Sequence, residues 1–162
     1  MTGQHFFKLS TLKMYRESFM LQALSMANHA FLRDEVPVGA IVVKDGLIIG
    51  QGFNEVVTNN SVSCHAEINA INEASETIKN YRLLGCEIYV TLEPCHMCAK
   101  AIVDARIDRL YFGAFEPKTG AVKSIDQFLD RKDLNHTVEY CGGYMQSTSA
   151  DLLRKFFKSK RA

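Results

Sequence analysis

The sequence predicts an α/β fold, a three-layer α/β/α sandwich whose central sheet is mixed. Three observations lead there: a hairpin signal in the first third, strands alternating with helices after it, and helical stretches that are apolar on one face. Between residues 12 and 31 apolar side chains recur at Leu12, Tyr15, Phe19, Met20, Ala23, Leu24, Ala27, Ala30 and Phe31, the three-and-four spacing of a helix lying on a core. The run 36-VPVGAIVV-43 is dense in β-branched residues, and 47-LIIGQGF-53 follows it across Lys44-Asp45-Gly46. Asp-Gly between two apolar runs signals a two-residue hairpin, because the turn needs positive φ that glycine accepts freely. Two antiparallel strands therefore start the sheet.

A polar stretch, VTNNSVSC, precedes a helical pattern over 66–78 carried by Ala66, Ile68, Ile71 and Ala74. Then 86-CEIYVT-91 reads as a buried strand, 94–105 as a helix and 109-RLYFGA-114 as another strand. That alternation implies parallel neighbours joined by crossovers, with helices covering the sheet. Pro94 suits the first position of its helix, having a fixed φ and no N–H to leave unpaired. A basic helix over about 148–158 closes the chain.

A chain of 162 residues lies within the size range of one domain and can hide roughly two thirds of its unfolded surface in one core, so the expectation is a single domain over 1–162 that needs no metal merely to fold. No apolar run is long enough for a signal peptide or approaches the roughly 18 residues of a membrane span, which points to the cytoplasm. The five cysteines are an odd number without an export signal, so thiols or metal ligands are expected rather than a disulfide framework. Cys64, Cys86 and Cys141 read as ordinary buried or half-buried thiols. A net charge of +1 excludes little, but 151-DLLRKFFKSKRA-162 gathers Arg154, Lys155, Lys158, Lys160 and Arg161 against Asp151. Such a segment either meets phosphates or forms a solvated helix face.

The chemistry concentrates at the joints between elements. Cys95 and Cys98 stand three positions apart, so both sulfurs can point the same way from the first turn of a helix toward one zinc. His65, before the preceding helix, can supply a third bond. Helix N-termini favour thiolate and carboxylate through unpaired N–H groups and the helix dipole. In α/β sheets, binding crevices also form at this end of the strands. A structural zinc normally takes a fourth protein ligand, whereas a catalytic one keeps that place for water. His96 should point away from the shared face of the cysteines; spacing alone leaves Cys64 and Cys141 open as fourth ligands. The alternatives are a closed structural zinc, a C-x-x-C redox pair and no metal at all. Glu67 favours hydrolysis. If His65 sits at or just before the helix start, Glu67 in the first turn can face the same cavity. Zinc with two thiolates and a neutral imidazole is formally neutral and acidifies water weakly, so a base beside it is needed. Glu67 would take a proton from water and return it to a ring nitrogen before ammonia leaves.

These residues, His65-Ala66-Glu67 and Pro94-Cys95-His96-Met97-Cys98, resemble the zinc site of the bacterial tRNA-specific adenosine deaminases, of the cytidine-deaminase-like superfamily, and the likeness spans about residues 15–161. Further likeness lies in 36-VPVGAIVV-43, 52-GFN-54, 112-FGAFEPKTGA-121, 134-LNH-136 and 152-LLRKFFKSKR-161. The resemblance implies one Zn2+ per subunit, a homodimer, tRNA as partner through its anticodon stem-loop, no membrane, and conversion of adenosine to inosine at the wobble position. It also implies that Asn54 holds the base, that Ala66 and Ala114 line its pocket, that Lys118, Thr119, Asn135 and His136 lie around the anticodon loop, and that Glu116 stands at the position that contacts a ribose hydroxyl next to the target. Glu116 replaces an aspartate of many relatives, Lys123 a glycine, and the Ser63-Cys64 pair is atypical.

A bound polynucleotide must turn its target base out of the stack, which is easiest in a loop. Phe53, Phe115 and Phe156 are candidates to stack on flanking bases, or else core. The nearest rival is a deaminase of a free base or nucleotide, guanine or cytosine, for which the 134–136 loop and basic helix have no evident use. A second is a non-catalytic RNA-binding protein with a structural zinc.

Overall fold

The computed structural model describes residues 14–161. Its first long helix, α1 (Glu17–Leu32), buries Met20, Ala23, Leu24, Met26, Ala27 and Ala30. The sequence places the start of this helix at Leu12, which lies outside the described residues; Tyr15 and Arg16 are not helical. Their tertiary contacts explain the later start. The Tyr15 ring stacks on Tyr144 at 3.7 Å between centroids, and the Arg16 backbone N–H donates to the Tyr89 hydroxyl at 3.1 Å.

β1 (Gly39–Lys44) and β2 (Leu47–Phe53) form the expected hairpin. Asp45 and Gly46 both have positive φ, 50° and 77°, as a type I′ turn requires. The strand begins three residues later than the apolar run, because Pro37 has no N–H and Val38 donates locally to the Val36 carbonyl at 2.8 Å. A short helix, α2 (Val56–Asn59), follows where the sequence reading has only a polar stretch. The buried Glu35 carboxylate organises it, accepting from the backbone N–H groups of Val57 and Thr58 at 3.2 and 2.6 Å and from the Thr58 hydroxyl at 2.6 Å.

α3 (Ala66–Ile78), β3 (Cys86–Leu92), α4 (His96–Asp104) and β4 (Arg109–Ala114) follow the sequence reading closely. One detail is corrected. Pro94 is not the first helical residue but precedes Cys95, the cap of α4, whose extended backbone (φ −78°, ψ 178°) turns its side chain away from the helix. A 3-10 turn (Phe128–Asp130) leads to β5 (Glu139–Gly142), a strand absent from the sequence reading, and α5 (Gln146–Lys160) is longer than expected at both ends.

The sheet order is β2-β1-β3-β4-β5; β1 runs antiparallel to both neighbours, while β3, β4 and β5 are parallel. The sheet is therefore mixed, as expected. Strand alternation divides the core. Ala40, Val42, Ile88, Val90, Leu110 and Phe112 face α3 and α4, whereas Ile41, Val43, Tyr89 and Tyr111 face α1. α5 covers the second face as well, with Ser149 against Gly113 and Phe156 edge-on to Phe31. Helices on both faces complete the three layers. Among the described residues no helix is long and apolar enough to cross a membrane.

Close approach of α3 to β2 depends on two glycines. A Cβ at Gly50 would stand 2.4 Å from the Ala70 carbonyl oxygen, and one at Gly52 would stand 2.6 Å from the Ala70 nitrogen. Both obstacles are backbone atoms, which no rotamer change can move. Gly50→Ala should thus lie at the severe end of overpacking, about 3 kcal/mol, lowering the melting temperature by roughly 6–12 °C. Gly85→Ala, with open space around it but a φ of 74°, should cost only about 1 kcal/mol. Thermal melts of the two variants compare them, and equal losses would refute the packing argument.

Candidate metal centre and active site

His65 caps α3 and Cys95 caps α4, each in extended backbone and neither using its side chain as a helix cap. Both side chains turn instead toward the space between the two helix starts. Cys98, in the first turn of α4, joins them, and the three ligand atoms all lie within 4.8 Å of one another. The His65 Nδ1 is 3.7 Å from the Cys95 sulfur and 3.5 Å from the Cys98 sulfur. In a tetrahedral zinc site with bonds of about 2.3 Å to sulfur and about 2.0 Å to nitrogen, such ligands stand about 3.5 Å apart. The donor set and its spacing fit one zinc.

The possible fourth ligands lie elsewhere. His96 pairs with Asp126 at 2.9 Å on the surface, as its place between the cysteines predicts. The Cys64 thiol meets the Asn59 side chain at 3.6 Å, and Cys141 belongs to the core under α1, 3.3 Å from the Tyr144 hydroxyl. Among the described residues the cluster thus has three protein ligands, the number of a catalytic rather than a closed structural zinc.

Without metal, the cluster divides its charge unequally. The Cys95 thiol, receiving a hydrogen bond from Cys98 and further help from His65, is lowered to about 3. Cys98 is driven up by the same bond and by burial, and His65 is raised chiefly by its bond to Cys95. Glu67, in the first turn of α3, is buried, and this desolvation pushes its carboxyl up to about 7 despite the opposing influence of its own backbone N–H and His65. A carboxyl poised near neutrality can both accept and donate a proton.

Glu67, His65 and Cys95 line a cavity of about 330 Å³, together with Asn54, Ala66 and Thr119. The volume suits a small organic ligand. Among the described residues none hydrogen-bonds the Asn54 side-chain amide, which is available at the cavity wall. Two further acids lining this cavity, Glu35 and Glu93, were missed by the sequence reading. Their signal was present: each is an acid beside an otherwise apolar strand, within two residues of a proline. Burial works against the charge on Glu35, yet the bonds from Thr58 and Val57 outweigh it and hold its carboxyl below the ordinary range.

The remaining expected contacts divide into three places. Ala114 is buried at the end of β4, where its carbonyl accepts from the Glu93 N–H at 2.8 Å. Glu116 and Lys118 line a second cleft, about 630 Å³, with Arg154, Phe157, Lys158 and Arg161. Thr119 lines the metal cavity, so the segment 116–119 separates the two spaces. Asn135 and His136 are not brought to either. The His136 Nε2 is 2.8 Å from the Ile107 carbonyl oxygen, beside the amino-terminal end of β4. Of the aromatic candidates, Phe156 is core and Phe115 packs edge-on against Phe112, while Phe53 lies under the Arg33 guanidinium. The exposed aromatic of the basic cleft is Phe157, which the sequence reading passed over.

Residues 14–114 match the family of cytidine and deoxycytidylate deaminase zinc-binding regions. The tRNA-specific adenosine deaminase of Agrobacterium fabrum is 47% identical over 146 residues, 90% of this chain and 96% of that protein. The protein of the same name from Haemophilus influenzae is 43% identical, over 91% of this chain and 86% of its own length. A solved structure from a study of A-to-I editing by tRNA:A34 deaminases at the wobble position of transfer RNA has a TM-score of 0.83 at 46% identity, covering 85% of this chain and 100% of that one.

The thiol asymmetry sets the pH dependence of metal uptake. The hydrogen bond between the thiols holds Cys95 down and Cys98 up, and a thiol must be deprotonated to become a ligand. Zinc affinity should therefore rise with pH, by about tenfold per unit for each proton expelled. Competition against a chelator between pH 6 and 8 measures the slope, and a flat profile would contradict the raised Cys98 thiol.

Proposed function

The chain belongs to the cytidine and deoxycytidylate deaminase family, within it to the tRNA-specific adenosine deaminases, and from that membership we propose that it converts adenosine to inosine at the wobble position of tRNA, with water as co-substrate and ammonia as product. One observation carries the reading: the acid-bearing metal cavity and the basic cleft adjoin across the segment 116–119. A base turned out of a loop can enter the cavity while the phosphates beside it lie against the cleft.

His65, Cys95 and Cys98 hold the zinc, and the chemistry it supplies when bound is acidification of water at the cluster. Glu67 is the proton carrier. It accepts a proton from the attacking water and delivers it to the ring nitrogen next to the amine-bearing carbon. It then moves the second proton of that water, from the oxygen now bound to carbon, to the departing amine, so that a C–O bond replaces the C–N bond and ammonia leaves. Desolvation serves this double role, since burial raises the carboxyl from its ordinary range and so favours its accepting as well as its returning a proton. Asn54 presents its amide to the edge of the base. Ala66, without bulk at the cavity wall, leaves room for the ring.

Around this site we assign Ala114 to support the pocket and Glu116, Lys118 and Thr119 to contact the loop. Asn135 and His136 are assigned to RNA away from the target base, in keeping with their distance from the cavity. The reading also takes 1–162 as one domain, working in the cytoplasm as a homodimer on the anticodon stem-loop.

Glu67→Ala should keep its zinc while deamination falls by roughly 10²–10⁴-fold, and Cys98→Ala should lose metal and activity together. Zinc content and ammonia release on an anticodon stem-loop measure both; an active Glu67→Ala enzyme would remove the proposed proton carrier. Neutralising Lys155, Lys158 and Arg161 should weaken RNA binding and flatten its dependence on log salt by about 2 in slope. Arg154 and Lys160 are poorer choices, because they pair with Asp151 and Asp34. A salt slope left as it was would make the helix a solvated face.

A further inference from the structure

We propose that Glu93 is a positioning residue for substrate binding, fixing the metal cavity and the basic cleft relative to each other by holding the segment 116–124. The inference rests on the function proposed above. Glu93 follows the last residue of β3 and stands two residues before the metal ligand Cys95. Its side chain is buried, and its hydrogen bonds come from backbone N–H groups and one serine hydroxyl. A buried carboxylate persists where dipoles replace the lost water.

Here those dipoles come from one loop. One carboxylate oxygen accepts from the backbone N–H groups of Val122, Lys123 and Ser124 at 3.1, 2.7 and 2.9 Å. The other accepts from the Glu116 N–H at 3.0 Å and the Ser124 hydroxyl at 2.5 Å. The neighbouring Pro94 carbonyl takes the Ala121 N–H at 2.9 Å. Gly120 lies directly against the carboxyl, where a Cβ would come within 2.3 Å of its carbon. The loop is thus gripped at both ends of a stretch whose middle carries Lys118 into the cleft and Thr119 into the cavity. The Lys118 N–H, donating to the Glu116 side chain at 2.9 Å, extends the same arrangement. With both oxygens committed to the loop, Glu93 acts on the substrate through the residues it places.

Glu93→Gln keeps the shape and removes one acceptor. Turned the better way, the amide keeps its oxygen beneath Val122, Lys123 and Ser124 and sets its NH2 against the Glu116 N–H. The corner next to Lys118 should loosen while the metal ligands stay in place. Steady-state kinetics on an anticodon stem-loop should then show KM raised by about tenfold with kcat within about threefold, at unchanged zinc content. Hydrogen exchange at the amides of Glu116 and 122–124 should quicken. Gly120→Ala, which pushes the loop off an intact carboxylate, should shift KM in the same direction and serves if Glu93→Gln does not fold. An unchanged KM, a loss confined to kcat, or a loss of zinc would each overturn the proposal. Inactivity of the unmutated enzyme on the stem-loop would instead count against the proposed function; the exchange measurement then still decides whether Glu93 holds the loop.

Discussion

Everything chemical in this molecule depends on two helices beginning face to face at one end of the sheet. A helix start leaves N–H groups unpaired, and its cap residue is the one position where the backbone is extended while the next residue is already helical. His65 and Cys95 occupy those two positions. Had either been a residue inside its helix, its side chain would follow the helix surface; as a cap it can reach across the gap. The partial positive charge of two helix ends also offsets the negative charge that thiolates and Glu67 bring together.

Packing beneath the site makes that placement repeatable. α3 is seated on β2 with no side chain between them at Gly50 and Gly52, so its axis is fixed by backbone contact. Gly39 gives α1 the same closeness on the opposite face, where a Cβ would lie 2.1 Å from the Ala23 carbonyl oxygen. The sheet is held between two helices at short range. A shift of α3 along its axis, which would move Glu67 with it, meets backbone atoms rather than flexible side chains.

The regular elements and the metal ligands were legible in the sequence because each leaves a local mark. Asp45-Gly46 declares its turn, the apolar stripe of 66–78 declares its helix, and Cys95 with Cys98 declares a shared face. What escaped was set by distant partners. β5 has four residues and pairs only with β4, too short a run for alternation to show. The start of α1 is decided by Tyr15 entering an aromatic group formed with Tyr89, Tyr111 and Tyr144. Glu35 and Glu93 carry no mark of their role beyond an acid near a proline, because the groups they bind are mostly backbone amides, which every residue but proline possesses. For the same reason the short helix at Val56 was invisible: it is organised by a carboxylate some 20 residues earlier.

Holding walls by their amides has a consequence for how the sequence can vary. Where a carboxylate grips N–H groups, the gripped residues contribute a part common to nineteen amino acids, and of the residues held by Glu93, Ser124 alone adds a side-chain donor. Position 123 carries lysine and position 116 glutamate. Each still gives its N–H to Glu93. The outline of the cavity is thereby separated from the identity of the residues that decorate it. Substrate preference can drift along this loop by substitution while the frame beneath stays as it is.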